Sequence, residues 1–255
     1  MMVRMKFVKT GPLKFIGHLD IMRYFQKAFR RAGIDVEYSK GFSPHQIMSF
    51  AAPLGVGLTS EGEYLDVSLN SCLDKEVMMK MINESMNEYI CITDFRFLPD
   101  GSKNAMSIVA GADYKVSLKD GYDYISKAEF TRKFHDFMEQ EEIVVTKKSK
   151  KSENQVDIKP LIYQYAFDRK TFYEGSADMK DRNCAEEIAQ IYENGICCYL
   201  KLATGSVNNL KPELVMEGFN NYLGIELNEF AFQVHRIEVY ANSLETDKLT
   251  PLLLV

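Results

Sequence analysis

The 255-residue sequence lacks the segments that identify membrane and exported proteins. It has no run of about 18 consecutive apolar residues, the length that a membrane-spanning helix needs, and its first residues are typical of a strand rather than of an export signal. We therefore expect a soluble, cytoplasmic protein without membrane association. The P-loop, GxSxG and HExxH motifs are also missing, which argues against the enzyme classes that depend on them.

Cysteine is scarce and has no metal-ligand spacing. The five cysteines include no CxxC pair and no CxxxCxxC cluster, so the sequence offers no recognisable ligand set for structural zinc or for an iron–sulfur centre. The adjacent Cys197 and Cys198 lie in an apolar run that is typical of a strand. We expect reduced, structural thiols, no metal site and no cofactor bound by this chain.

Charge is distributed unevenly. The formal net charge is -5, but residues 1–50 contain nine basic and three acidic side chains, a local balance of +6 that leaves -11 for residues 51–255. Because a polyanion responds to the local field and not to the total charge, an acidic protein can still have a nucleic-acid-binding face.

The order of the predicted elements indicates the fold class. Residues 18–32 show helical periodicity, and turn residues at 99–102 mark a domain boundary. The first half is predicted to contain strands at 2–9, 36–38, 46–51, 61–69 and 90–98 and helices at 18–32 and 73–87. The second half is predicted to contain strands at 112–118, 142–148, around 156–167, 196–202 and 234–240, helices at 127–140 and 211–223, and a helix-like or irregular stretch at 178–193. We predict an α+β protein of two tandem ferredoxin-like (split βαβ) domains with antiparallel sheets, residues 1–99 and 103–255.

A basic helix and the turn after it form the first candidate site. On the predicted helix the cations separate from the apolar residues, and guanidinium groups pair well with phosphate. A glycine-containing turn lets backbone N–H groups approach an anion, and Tyr24, Tyr38 and Phe42 offer faces for unpaired bases. The candidate anion-binding residues are His18, Arg23, Lys27, Arg30, Arg31, Lys40, Gly41, Phe42, Pro44 and His45. The alternative is a solvated helix face beside an ordinary loop.

The two histidines of this region have a second possible role. His18 and His45 could serve as general base and acid on a phosphodiester, because the ordinary pKa of histidine lies near neutrality. The alternative is that each orders a turn through hydrogen bonds. A metal site is not expected, because no third and fourth ligand lie at compact spacing.

The second half of the sequence offers weaker candidates. Four lysines lie at a predicted hairpin tip: Lys147, Lys148, Lys150 and Lys151. Asp157 and Lys159 are further candidates for RNA or anion binding. Lys159 comes directly before Pro160, which we expect to restrict it to an extended conformation. Pro212, with Glu213 after it, predicts a helix start.

The stretch "FIGHLDIMRYFQKAFRRAGIDVEYSKGFSPH" resembles the opening of the radical SAM-linked proteins, a bacterial family with a domain of unknown function. That family has a segment like "FISHLDLMR", a basic helix ending in "RRAGLP" and a loop like "GFNPHP", and "VDIKPLI" and "GSVNNLKPELV" match its later segments. The resemblance implies a site formed by His18, Asp20, Arg23, Arg30, Arg31, Gly41, Phe42, Pro44, His45, Asp157, Lys159 and Pro160. The sequence departs from the pattern with Gly17 for serine, Ser43 for asparagine, Gln46 for proline and Lys159 for arginine.

The resemblance also implies partners. Members of that family accompany a radical SAM protein with a B12-binding-like domain, and their gene neighbourhoods suggest work on RNA or the ribosome. The expected function is therefore that of a noncatalytic accessory protein, which binds RNA (tRNA, rRNA or ribosome-related) and presents it to the radical SAM enzyme. Two alternatives stay open: a metal-independent RNA endonuclease similar to CRISPR repeat-processing enzymes, and a pure protein-interaction module.

Overall fold

The computed structural model describes residues 1–148, 153–174, 188–226, 228–242 and 249–255. The protein is mixed α/β, and its strand pairing is mostly antiparallel. By contact, the chain divides into two compact units, Met1–Gly111 with Arg236–Val255, and Ala112–His235. The contacts group residues 236–255 with the first unit, whereas the sequence analysis assigned them to the second domain. The predicted domain boundary at 99–102 stays a prediction.

Most helices and strands follow the predicted order, but the sequence did not predict the short elements at 105–108, 169–172 and 249–251. The strands are β1 Met2–Lys9, β2 Met48–Phe50, β3 Thr59–Ser68, β4 Ile90–Phe97, β5 Val109–Leu118, β6 Val144–Lys148, β7 Glu153–Asp157, β8 Ile162–Ala166, β9 Cys197–Ala203, β10 Phe232–Asn242 and β11 Leu249–Pro251. The helices are α1 His18–Arg31, α2 Lys75–Glu84, α3 Ala105–Ile108, α4 Lys127–Met138, α5 Arg169–Phe172 and α6 Pro212–Leu223.

In the first unit, the strands pair in the order β4-β1-β3, and β2 and β10 both pair with β3. The pairs β1·β3, β1·β4 and β2·β3 are antiparallel. Met5, at the centre of β1, lies opposite Leu65 on one side and Phe95 on the other. These three apolar side chains point into the core, as the alternation of each strand predicts.

The core of the first unit is aromatic where α1 meets the sheet. The ring centroid of Phe25 lies 4.8 Å from that of Phe7 and 5.7 Å from that of Phe50, and both contacts are edge-to-face. Phe29 extends the cluster one turn further along α1, with its ring 5.8 Å from Phe25. Burying this side of α1 leaves its opposite side, which carries the cations, toward solvent.

A buried ion pair between Arg4 of β1 and Asp66 of β3 lies at the centre of a second set of contacts in the first unit. Arg4 and Asp66 are both 1% exposed, and the Arg4 Nε donates to the Asp66 Oδ1 at 2.8 Å. Asp66 also accepts from the backbone N–H of Ala105, and Arg4 also donates to the carbonyl oxygen of Leu252. The pair therefore ties β1, β3, α3 and the C-terminal residues together.

The second unit contains only residues 232–235 of β10, and its strands follow the order β10-β5-β9-β8. In the same unit, β6 pairs with β7 as a separate antiparallel hairpin. An aromatic cluster lies between α4 and α6, where the ring centroid of Phe219 is 5.4 Å from Phe130, 5.0 Å from Phe134 and 5.7 Å from Phe137. Pro212 is the first residue of α6, which confirms the predicted helix start.

Two predicted elements differ from the structure. The strand expected at 36–38 is reduced to two isolated bridges, Val36 with Leu69 and Tyr38 with Gln46, because the chain turns immediately after Tyr38. The strands expected around 156–167 are β7 and β8, which a 3₁₀ turn at Lys159–Leu161 separates. The extended conformation expected for Lys159 is wrong, because Lys159 begins this turn, which the Leu161 N–H closes by donating to the carbonyl oxygen of Ile158. Of the stretch predicted at 178–193, residues 178–187 lie outside the described residues.

The structure also describes four of the five cysteines and the lengths of the helices. Cys72, Cys91, Cys197 and Cys198 are thiols that form no disulfide, and Cys184 lies outside the described residues. Across the part of the chain that the structure describes, every helix is too short or too polar to cross a membrane.

Candidate nucleic-acid interface

Helix α1 presents four exposed cations, which we call the basic helix face: Arg23, Lys27, Arg30 and Arg31. The helix forms here because apolar residues recur every three to four positions, and Ile21, Phe25, Ala28 and Phe29 are buried. It ends at Arg31, and the C-cap Ala32 is followed by Gly33, whose φ of 67° is one that glycine adopts without strain.

Most of these cations have no carboxylate partner. Arg23 pairs with Asp20 at 3.2 Å, but both side chains are about two-thirds exposed, so the pair holds the guanidinium weakly. Arg30 donates to the carbonyl oxygen of Gln26 and Arg31 to that of Ser85. Within the described residues, Arg23 is thus the one member of the basic helix face that has an ion pair.

Three of the nine cations counted in residues 1–50 are buried or paired. Arg4 and Lys9 are buried, and Lys6 bonds to Glu238, so these three cations add little to the surface field. The exposed cations of this stretch are concentrated instead on α1 and at Lys40. The predicted basic surface is therefore smaller than the count implies, and more localised.

Residues 39–45, which we call the 39–45 loop, form a closed turn. The Ser39 N–H donates to the carbonyl oxygen of His45 at 2.8 Å, and the His45 N–H donates to the Ser39 Oγ at 3.1 Å. The Ser39 Oγ also lies 2.9 Å from the His45 Nδ1. Gly41, near the tip, has a φ of 119°, which strongly favours glycine. His45 thus orders the loop through hydrogen bonds, as one of its two predicted roles required.

Gln46 connects the 39–45 loop to α1. Its Nε2 donates to the carbonyl oxygen of Gln26 at 3.4 Å and to the Tyr38 Oη at 3.3 Å. The side chain is buried, and its Oε1 has no hydrogen-bond partner in the described part of the chain. The base of the loop therefore lies beside α1 at Gln26, whose carbonyl oxygen also accepts from Arg30.

The three candidate aromatic residues have different surroundings. Phe42, close to the tip of the 39–45 loop, has an exposure of 111%, as high as in an extended reference chain, and Tyr38 is 46% exposed. Tyr24 is partly buried, and its Oη accepts from the backbone N–H of Asn87. Phe42 is therefore the candidate most open to a ligand.

His18 lies in a small polar pocket at the start of α1. Its ring meets Phe50 edge-on at 5.0 Å, and it lines a cavity of about 10 Å³ together with Lys9 and Glu63. That volume is close to what one water molecule needs. Burial lowers the pKa of His18 and of Lys9, while the Glu63 carboxylate acts in the opposite direction on both.

The rest of this pocket is a buried ionic cluster. The Lys9 Nζ donates to the carbonyl oxygen of Ile16 at 3.0 Å. Arg236 donates to Glu63 through both its Nε and its Nη2, and the Nη2 also donates to the carbonyl oxygen of Ala52. The cavity is too small for a nucleotide, so the cluster orders the start of α1.

Sequence reasoning missed this cluster. Glu63 and Arg236 are 173 residues apart, so no local motif could have paired them. Lys9 ends a strand and gives no sign in the sequence that it is buried. One signal was available: Glu63 is a charged residue within the otherwise buried pattern of β3. A buried carboxylate needs a partner, so this residue could have suggested an internal cation.

The structure gives His18 and His45 separate surroundings. The ring of His18 contacts Phe50 and lines the small cavity, whereas that of His45 contacts Ser39 and Ser43. Their contacts share no residue in the described parts of the chain. Each ring has a local structural partner.

The second-half candidates belong to the second unit. The Asp157 Oδ1 accepts from the backbone N–H groups of Ile143 and Lys159, and the Lys159 Nζ bonds to the carbonyl oxygen of Met138. Both side chains thus have structural partners, and an anion-binding role for them stays a prediction. Lys147 is exposed on β6, whereas Lys150, Lys151 and the side chain of Lys148 lie outside the described part.

The sequence matches a known family model. Residues 2–212 fit the model described as "Uncharacterized protein conserved in bacteria (DUF2344)", and this range includes α1 and the 39–45 loop. None of the curated proteins matches the chain. The expected membership in a family of unknown function is confirmed, while the radical SAM link stays a prediction. Because the match covers well over half of the chain, the protein belongs to this family of uncharacterized proteins conserved in bacteria.

Proposed function

We propose that this protein binds RNA through the basic helix face and the 39–45 loop. One observation carries the proposal: four exposed cations share one side of α1, and three of them have no carboxylate partner among the described residues. Such a row attracts a polyphosphate, because binding releases the counterions that the nucleic acid has condensed.

The position of the loop strengthens the case. Lys40 adds a fifth exposed cation, and Gln46 anchors the loop at Gln26, between Lys27 and Arg23 on α1. From Arg23 to Arg30 the helix rises about 10 Å, so the cations can contact phosphates along a strand rather than a single anion.

Filter binding to a labelled structured RNA at low salt tests the proposal. Lys27→Ala should weaken retention severalfold, because Lys27 is exposed and has no carboxylate partner in the described part of the chain. The matched control is Lys80→Ala, which removes an exposed helical lysine that pairs with Glu84 on α2. The control should bind like wild type. If wild type retains no RNA at low salt, the proposal is wrong.

We further propose that the bound RNA is tRNA, rRNA or ribosome-related, and that this chain presents it to a radical SAM enzyme in the cytoplasm. The support is the resemblance of the "FIGHLDIMR" and "GFSPH" segments to the radical SAM-linked proteins. Crosslinking in cells, followed by recovery of the attached protein and RNA, tests this link. A radical SAM protein together with RNA is the expected result, and recovery of unrelated proteins without RNA would contradict it.

We also propose that both units are ferredoxin-like. The strand orders support this: β4-β1-β3 with β2 beside β3 in the first unit, and β10-β5-β9-β8 in the second. In each unit a helix follows the first and the third strand of the motif, α1 and α2 in one, α4 and α6 in the other.

No observation favours the alternative of RNA cleavage by His18 and His45. A general base must reach the hydroxyl that it deprotonates, yet each ring is engaged with its own neighbours, Phe50 for His18 and Ser39 for His45. Labelled RNA incubated with the protein and a chelator should stay intact. Cleavage that His18→Ala abolishes would restore the alternative.

A further inference from the structure

Phe42 is the most exposed large apolar side chain of the described residues, at 111%. It has no ring partner among them, so it adds nothing to the core. Burying an exposed phenylalanine ring against a bound partner is favourable, because it removes apolar surface from water.

The 39–45 loop holds this ring outward in a defined position. Three contacts between Ser39 and His45 close the loop, at 2.8, 3.1 and 2.9 Å. The bridge between Tyr38 and Gln46 lies directly below them. Because the loop is already ordered, binding through Phe42 loses less conformational entropy than binding through a loose loop.

Two cations lie near Phe42 and the base of the loop. Lys40 is exposed two residues before Phe42, and Arg30 shares the Gln26 carbonyl oxygen with Gln46 at the base of the loop. An aromatic face beside a row of cations is the combination that single-stranded nucleic-acid sites use, with stacking for bases and charge for phosphates. This charge favours RNA over an apolar protein pocket as the occupant.

We propose that Phe42 stacks on an unpaired base, so that this surface selects RNA with single-stranded segments or loops over continuous duplex. The inference rests on the proposed function and specifies its substrate class. In A-form duplex the bases are stacked within the helix and present no free face, whereas loops and single strands can splay a base onto an aromatic ring.

Fluorescence anisotropy with three labelled RNAs tests the selection: a single strand, a hairpin with an unpaired loop and a blunt duplex. Phe42→Ala should weaken binding to the first two by at least about fivefold, the lower end of what one lost stacking contact costs, and leave duplex binding unchanged. Lys27→Ala should weaken binding to all three RNAs by a similar factor. Thermal melts of both variants establish that they fold.

A second readout uses the fact that the sequence contains no tryptophan. Phe42→Trp keeps a stacking face and introduces a single tryptophan at the loop tip, whose emission can be excited apart from that of the 14 tyrosines. Its fluorescence should be quenched by single-stranded RNA and by the hairpin, and should change little with the duplex.

The outcomes separate this inference from the proposed function. If wild type binds RNA but Phe42→Ala affects all three RNAs equally or not at all, the stacking role is wrong and RNA binding stands. If Phe42→Ala leaves RNA binding intact and abolishes capture of a protein partner, Phe42 is a protein contact and the inference fails. If wild type binds none of the RNAs at low salt, the proposed function itself fails.

Discussion

Arg30 and Gln46 donate to the same acceptor, the carbonyl oxygen of Gln26, at 3.2 and 3.4 Å. One residue lies on α1 and the other follows the 39–45 loop, so this shared acceptor joins the two parts of the proposed interface. The position of the loop therefore depends on the buried side-chain amide of Gln46. The sequence analysis did not include Gln46 among the candidate site residues.

We expect Gln46→Ala to destabilise the first unit by about 1–2 kcal/mol, because it removes two weak hydrogen bonds and leaves a small cavity. Gln46→Met should cost less. It keeps the volume and removes the Oε1 that lacks a partner among the described residues, while the Gln26 carbonyl still accepts from Arg30. Urea denaturation of both variants measures this. If Gln46→Ala and Gln46→Met lower the free energy of unfolding equally, the side-chain volume at position 46 does not contribute as we expect.

The buried pair of Arg4 and Asp66 should be a major determinant of stability. Asp66→Ala leaves the Arg4 guanidinium buried without its carboxylate, which we expect to cost about 3–5 kcal/mol. Glu84→Ala, which breaks the exposed pair with Lys80, should cost less than about 1 kcal/mol. Chemical denaturation compares the two, and a small loss for Asp66→Ala would show that the pair is dispensable.

Acid should weaken the first unit through His18. Burial lowers the pKa of His18 in the folded protein, so the unfolded chain binds this proton more readily. Stability is therefore full above the unfolded pKa near 6.5, and falls as the pH drops from there toward the folded pKa. His18→Gln should reduce the pH slope of the unfolding free energy by at most about 1.4 kcal/mol per pH unit between pH 7.5 and 5. Identical slopes for variant and wild type would contradict the prediction.

Two glycines should differ sharply in their tolerance of a side chain. A Cβ at Gly62 would lie 2.4 Å from the Ile237 carbonyl oxygen, so Gly62→Ala forces the backbone of β10 to move and should cost about 1–3 kcal/mol or more. At Gly17, which precedes α1, a Cβ would meet no described atom within 4 Å. Gly17→Ser adds a capping hydroxyl and should stabilise by a few tenths of a kcal/mol. Thermal melts rank the two variants, and a Gly62→Ala protein as stable as wild type would contradict the close approach.

The sequence predicted the regular elements well because their signals are local. The periodicity of residues 18–32 set α1 almost to the residue, and Pro212 marked the start of α6. The isolated pairings of Val36 and Tyr38 were harder to predict, because a bridge depends on a partner across a turn and not on a strand-length pattern.

Part of the candidate site was predictable because helical spacing is a local signal. The exposed face of α1 follows from helical spacing, so its cations were identified correctly as a group on one side. The burial of Lys9 and the pairing of Glu63 with Arg236 depend on contacts between distant strands, which no local pattern encodes. The anchoring role of Gln46 likewise needs the position of Gln26 in space.

The salt dependence of RNA binding tests the central claim most directly. The affinity of wild type for single-stranded RNA should fall steeply with salt, and each of Arg23→Ala, Lys27→Ala and Arg30→Ala should reduce the slope of log K against log salt by about 0.7, the value for one phosphate contact. Lys80→Ala should leave the slope unchanged. A wild-type slope near zero, or a triple variant of the basic helix face with the wild-type slope, would contradict the account.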